Sequence, residues 1–341
     1  AYILTGKVQT IDDQMKITVH LIQAASGIHK WSKIFERPKN ELSYFQQEIA
    51  SGVNAQLSPQ SNPIADTGRP TANQEAYDWY LKGRYVFYES NPDSLRKCLG
   101  YFRKALILDP KFTLARIHLA WTYCTLAGTW GDKSVDQIYE ESMLHLEAIK
   151  QEPLYQSSYH KIRGWLYLWS LDTENSLKEL QRAVALNPNE EFGYAALSLL
   201  LTLSGRYEEA KKMALKAIDI NPHFFWNYFC LADAHFFAAE YSEAERYARQ
   251  SLQMNPKHIS SHAILGRALM AQGKRADALD YLEGLDFKNP YLDGQRAIVY
   301  FHAGETEKTW EILSQLEKAH QAGGKRQAYY IALIYNLLGD Q

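Results

Sequence analysis

His258 and His262 stand four residues apart, a spacing that puts two imidazoles on one face of a helix and could begin a zinc site. No HExxH frames them and no third ligand is evident, so packing or surface roles are expected for these and the other scattered histidines. Cys98, Cys124 and Cys230 lie far apart and form no CxxC, which argues against a zinc site and a disulfide framework alike. Gly323-Gly324-Lys325 lacks the spacing of a phosphate loop and follows a helical run rather than a strand. The acidic pairs Glu140-Glu141 and Glu208-Glu209 fall early in helices, where they suit the positive helix end. No catalytic group, metal or cofactor is therefore expected. The remaining chemistry is aromatic: HFFWNYFCLADAHFF, residues 223–237, carries seven aromatics in fifteen positions. Such a run either fills a core or lines a groove.

Charge and length narrow the options. The 341 residues are 46% hydrophobic with a formal net charge of -2, ample for a large core and without a basic arm. Arg96, Lys97, Arg103 and Lys104 share one helix, but positive charge elsewhere is interleaved with acid, so no direct nucleic-acid contact is expected. No run of eighteen apolar residues occurs, so no membrane span is expected. The opening AYILTGKVQT has no basic leader, no Met, and reads as a strand. It is read as part of a longer protein whose remainder holds a membrane helix or an output domain. The expected location is cytoplasmic, or periplasmic if a membrane helix precedes.

Three stretches must position the aromatics. Residues 1–57 read as a partial α/β domain. Strands are expected at Tyr2–Thr10, Met15–Gln23 and Ile28–Glu36, with turns at Asp12-Asp13-Gln14 and Ser26-Gly27. Leu42, Phe45, Ile49, Val53 and Leu57 recur at helical spacing over 41–57. The first strand is an expected free edge, open to self-association. Residues 58–72, rich in proline and without periodic apolar positions, read as a linker. Residues 73–341 repeat: Pro188, Pro222, Pro256 and Pro290, each after Asn, are 34 residues apart. Breaks such as Ser204-Gly205 and Gln272-Gly273 fall midway, so each period is two helices. Small residues (Ala210, Ala217, Ala244, Ala248, Ala278) recur where helices must cross closely. Earlier units end at Asp109-Pro110 and Glu152-Pro153, and the second of these is 43 residues long, its surplus expected as a loop around Ala127–Val135.

This pattern resembles the tetratricopeptide repeat. Gly164, Tyr167, Ala183 and Pro188 fit the spaced positions of that family, as do Leu231, Ala232, Ala244, Ala248 and Pro256, and Leu265, Gly266, Ala278 and Pro290. Ser176 and Cys98 stand where alanine is usual. The resemblance implies a mostly α fold, a helical-repeat superhelix, preceded here by the small partial α/β domain. The first part, LTGKVQTIDDQMKITVHLIQAASGIHKWSKIFERP with the following FQQEIA, resembles the C-terminal half of a TolB-amino-terminal-like domain. In bacteria that domain often joins tetratricopeptide repeats to a winged-helix or a class III adenylate cyclase domain, and residues 77–110 resemble the first repeat of such regulators. Neither output domain is present in this chain.

The family lines its concave face mainly with first helices. Carried onto this chain, that face comprises Trp121 and Thr125; Lys161, Trp165 and Trp169; Phe192 and Leu199; Trp226, Phe229, Asp233, Phe236 and Phe237; then Arg267, Met270 and Phe301. Tyr228, Leu231 and Ala232 are expected to face neighbouring helices. Lys161 and Arg267 are isolated, unlike the repeated basic lining that clamps carboxylate tails, so an acidic tail is not the expected partner. The expected function is a non-catalytic protein-binding or sensory module of a larger bacterial signalling or transcription-regulatory protein, taking a protein or peptide partner in an aromatic groove. Two alternatives stand beside it: a scaffold with partners on its convex face, and a small-molecule sensor module of an adenylate cyclase.

Overall fold

The computed structural model describes residues 2–12, 14–23, 27–38, 48–49, 52–53, 55–57, 71–87, 92–130, 135–286, 289–321 and 327–339. Three antiparallel strands come first: β1 (Tyr2–Ile11), β2 (Gln14–Gln23) and β3 (His29–Pro38), in the order β1-β2-β3. Asp12 at φ 52° makes the first hairpin turn, a left-handed conformation that a short polar side chain tolerates. Alternation along β2 puts Ile17, Val19 and Leu21 on one buried face, with Phe35 of β3 opposite Ile17. Ile49 packs against this cluster. The described residues between 41 and 57 are helical; the rest of that expected helix, and the expected linker up to residue 70, lie outside the described residues. Among the described residues β1 pairs only with β2, and its described side chains are exposed.

The helices are α1 (Gln74–Phe87), α2 (Pro92–Leu108), α3 (Thr113–Trp130), α4 (Val135–Glu147), α5 (Gln156–Trp169), α6 (Thr173–Leu186), α7 (Glu191–Leu203) and α8 (Tyr207–Ile220). They continue with α9 (Phe225–Phe237), α10 (Tyr241–Met254), α11 (Ile259–Ala271), α12 (Arg275–Glu283), α13 (Pro290–His302), α14 (Thr306–Gln321) and α15 (Gln327–Leu338). The chain forms two compact units: residues 1–82 with 101–115, and residues 83–100 with 116–341. In the first, Tyr77, Tyr80, Phe102 and Phe112 form a ring cluster, with Tyr80 and Phe112 at 5.0 Å between centroids. The second carries the site.

Helices α7 and α8 map onto α9 and α10 with a shift of 34 at all four ends. The chemistry of the turns explains the period. Asn187, Asn221 and Asn255 each end a second helix, and each side-chain oxygen accepts from the amide two residues on, at 3.1, 3.3 and 3.1 Å. The intervening proline has no amide to leave unpaired. The mid-period breaks are left-handed residues at Leu171, Gly205, Ala239 and Gly273, again 34 apart. Glycine takes that conformation freely, whereas leucine and alanine are held in it by the repeat. At the crossings Ala210, Ala217, Ala244, Ala248 and Ala278 are fully buried.

Two expectations need correction. Residues 127–130 are helical, the end of α3, so the surplus of the long unit is partly extra helix; residues 131–134 lie outside the described residues. The prolines also stop marking equivalent turns at Pro290. It is the first residue of α13, capped by Asn289, whose oxygen accepts from Tyr291 and Leu292 at 2.9 and 3.4 Å. The next left-handed residue is Gly304, 31 rather than 34 after Gly273. Helix α12 ends early, and Arg296 donates to the carbonyls of Leu282 and Leu285 at 3.2 and 2.5 Å, so the shortened end is satisfied.

Candidate aromatic pocket

First helices α3, α5, α7 and α9 bring their aromatics to one place, with His258 just ahead of α11 beside them. Trp165 of α5 is 3% exposed, at the centre, with ring centroids 5.6 Å from Trp121, 5.3 Å from Trp169 and 6.3 Å from Trp226. Its indole N–H donates to the Phe192 carbonyl at 3.2 Å, so the ring is held at both ends. Trp121 also meets Phe192 at 5.3 Å, Phe192 meets Phe224 at 5.2 Å, and Trp226 meets Phe229 at 5.1 Å. These are tilted or edge-to-face pairs, which the ring quadrupole favours. The rings leave a cavity of about 100 Å³, lined also by Phe87, Leu95, Thr125, Phe225, His258, Ile259, Ser260, Asn289 and Tyr291.

The expected set is thus divided. Trp121, Thr125, Trp165, Trp169, Phe192 and Trp226 line this cavity; Trp169 and Trp226 are half-buried and Trp121 is buried. Lys161 is buried too, its ammonium over the Trp121 ring at 5.1 Å and paired with Glu190 at 3.1 Å, so the cation is spent within the wall. Phe229 is buried behind Trp226. Phe236, Arg267 and Met270 line a second cavity, on which Ile298 and His302 also border. Arg267 lies over Phe236 at 4.3 Å, and Phe237 beside them is 44% exposed. Burial pushes the half-buried Asp233 carboxyl up to about 7, with Arg267 pulling the other way. Phe301 lines neither cavity: with the 31-residue step into α13, Ile298 occupies the place equivalent to Arg267. Leu231 and Ala232 are fully buried against neighbouring helices, whereas the Tyr228 hydroxyl turns back to the Pro222 carbonyl at 3.0 Å.

Sequence reasoning missed Phe224, Phe225, His258 and Tyr291. Phe224 precedes α9 in extended backbone, φ -104° and ψ 111°, so a helical face count does not reach it. His258 holds the same place before α11. The periodic spacing of Phe224 and His258, 34 residues, was the available signal. The His258/His262 pair is engaged in hydrogen bonds: His262 with the Tyr281 hydroxyl at 2.5 Å and the Pro256 carbonyl at 2.9 Å, and His258 Nδ1 with Ser261 at 2.7 Å. Among the described residues no group of three His, Cys, Asp or Glu could hold a metal, and no helix is long and apolar enough to cross a membrane. Cys98, Cys124 and Cys230 are buried and, among the described residues, form no disulfide; burial pushes the Cys124 thiol up.

Comparison with known proteins agrees with the helical-repeat fold. The tetratricopeptide-repeat family profile matches residues 193–224. A tetratricopeptide repeat protein from Parabacteroides merdae ATCC 43184 superposes with a TM-score of 0.50 at 15% identity, covering 78% of this chain and 99% of that one. Yeast Tom70 gives 0.50 at 18% identity over 86% of this chain and 62% of its own. The APC/C hetero-tetramer Cut9-Hcn1 gives 0.55 at 13% identity over 80% and 50%. Among curated proteins, "Putative adenylate cyclase 3" of Rhizobium meliloti (strain 1021) is 22% identical over 153 residues, 43% of this chain. The match spans 26% of that relative's length. The fold is therefore mostly α, a tetratricopeptide-type helical superhelix preceded by a small open three-stranded sheet.

Proposed function

We propose that this chain is a non-catalytic protein-binding module of a larger bacterial regulatory protein, and that the aromatic pocket takes a side chain of its partner. The carrying observation is the unfilled space of about 100 Å³ among rings contributed by successive first helices. A pure core would close it, because each void forfeits contacts. The space suits a side-chain tip rather than a whole helix: an engineered cavity of about 150 Å³ is what accepts one benzene. Half-buried Trp169 and Trp226 offer aromatic area with few rotors, the composition of interface hot spots. The Rhizobium relative, a cyclase by name, and a hetero-tetramer among the structural neighbours support a regulatory, partner-holding reading. On this reading the open sheet is the remaining part of a TolB-amino-terminal-like domain, and β1, an edge strand, is a second surface for self-association.

The test uses peptides selected from a random display library against the whole chain. Trp226→Ala is expected to weaken the selected peptides by about 1–3 kcal/mol, roughly 5- to 150-fold. Trp310→Ala is the control, since Trp310 is 42% exposed on the second helix α14. Loss on Trp310→Ala with indifference to Trp226→Ala would favour the scaffold reading with its partner on second helices.

A further inference from the structure

Behind the pocket a chain of hydrogen bonds fixes the proton on one histidine. Ser251 Oγ lies 2.9 Å from the Phe225 carbonyl, which can only accept, so Ser251 donates there. Its single proton is then used, so in the 2.8 Å contact between Ser251 and Ser261 it is Ser261 that donates. Ser261 has no second proton, so in its 2.7 Å contact with His258 Nδ1 the ring must donate. Burial depresses this imidazole to about 3, so the ring is neutral, and a neutral ring protonated at Nδ1 carries a bare lone pair at Nε2. That nitrogen is buried without a hydrogen bond, as is the indole N–H of Trp226. His258 is 5% exposed and caged by Phe225, Trp226 and Phe229 at centroid distances of 4.8, 5.4 and 5.1 Å. One acceptor and one donor, both unused and both covered, thus belong to neighbouring rings of residues that line the pocket.

We infer that the pocket recognises a neutral carboxamide, its N–H donating to His258 Nε2 and its carbonyl accepting from the Trp226 indole N–H. The inference rests on the proposed binding role of the pocket and names the chemistry of what enters it. A carboxamide suits the charge: the cation nearest the lining rings, Lys161 over Trp121, is already matched by Glu190. It also suits the size, a group of a few heavy atoms in about 100 Å³. Both atoms are screened from solvent, so on this inference the half-buried Trp226 ring must turn outward for an amide to bridge the two. Buried polar atoms without partners are costly, and the amide relieves both at once. The source is either an asparagine or glutamine side chain of a partner or a free small amide.

Three probes of equal shape separate the chemistry: propionamide, propionate and butan-2-one, titrated into the full chain while the His258 ring nitrogens and the Trp226 indole are followed by NMR. Propionamide is expected to bind about tenfold more tightly than butan-2-one, which lacks the donor, the equivalent of about 1.4 kcal/mol. Propionate is expected to bind more weakly still, because its charge would be desolvated beside a neutral ring. His258→Phe, which keeps a ring in the cage, should abolish the preference for propionamide; Ser261→Ala, which frees Nδ1, should reduce it. N-acetylglutamine methylamide binding better than both propionamide and N-acetylmethionine methylamide would assign the source to a partner side chain; no gain would assign it to a free amide. Equal binding of propionamide and butan-2-one, or a His258 ring protonated at Nε2, would overturn the inference. If His258→Phe leaves selected peptides untouched while Trp226→Ala releases them, the inference fails and the binding role of the pocket stands.

Discussion

Trp165→Ala is expected to lower the unfolding free energy by about 3–5 kcal/mol, the range for truncating a large buried ring. Trp165 touches three other tryptophans and donates to the Phe192 carbonyl, so its loss opens a cavity and leaves that carbonyl without its indole donor. Trp226→Ala should cost clearly less, because that ring is half-buried and its own N–H is already unpaired. Denaturant midpoints of the two variants, read with a constant slope, give the comparison. Equal losses would mean that Trp226 is as much a part of the core as Trp165.

The second large effect lies at a helix crossing. A Cβ at Gly164 would stand 2.6 Å from Leu180 Cγ and Cδ2 and 3.2 Å from the Leu180 backbone nitrogen. Gly164→Val is therefore expected to cost about 1–3 kcal/mol by overpacking, even though valine is the better helix former. Gly266→Val should cost less, since the three atoms nearest its Cβ are all in the branched end of Leu282, at 2.8–2.9 Å, with no backbone atom among them. Gly100 supplies the opposite sign: nothing lies within 4 Å of its added Cβ, so Gly100→Ala should stabilise α2 by about 0.5–1 kcal/mol. Thermal or denaturant unfolding of the three variants decides whether α5 and α6 approach as closely as the repeat requires.

The repeat was legible because its punctuation is chemical. Asn187, Asn221 and Asn255 each accept from the amide beyond a proline, and that bond fixes where a second helix ends. The same dipeptide at Asn289-Pro290 makes the same bond yet opens a helix, because α12 is short and Arg296 takes the Leu282 carbonyl at its end and the Leu285 carbonyl just beyond it. Nothing in the Asn-Pro spacing carries that difference, so Phe301 was assigned a place that Ile298 holds. The core side of the aromatic run, Leu231 with Ala232, follows from helical period alone. Its pocket side does not, because Phe224 and His258 sit in extended residues ahead of their helices, where turn geometry aims the ring. The bonding state of His258 lay further still beyond reach: it depends on two serines, Ser251 from α10 and Ser261 from α11, meeting at 2.8 Å.

The most direct test of the aromatic pocket as a binding site is to follow the indole N–H signals of the full chain by NMR as a library-selected peptide is added. The account predicts that the Trp226 and Trp169 signals shift in proportion to occupancy while Trp165, fixed to the Phe192 carbonyl, moves little and Trp310 not at all. Saturating peptide that leaves Trp226 and Trp169 unmoved, and instead shifts Trp310 or protects the amides of β1, would contradict it.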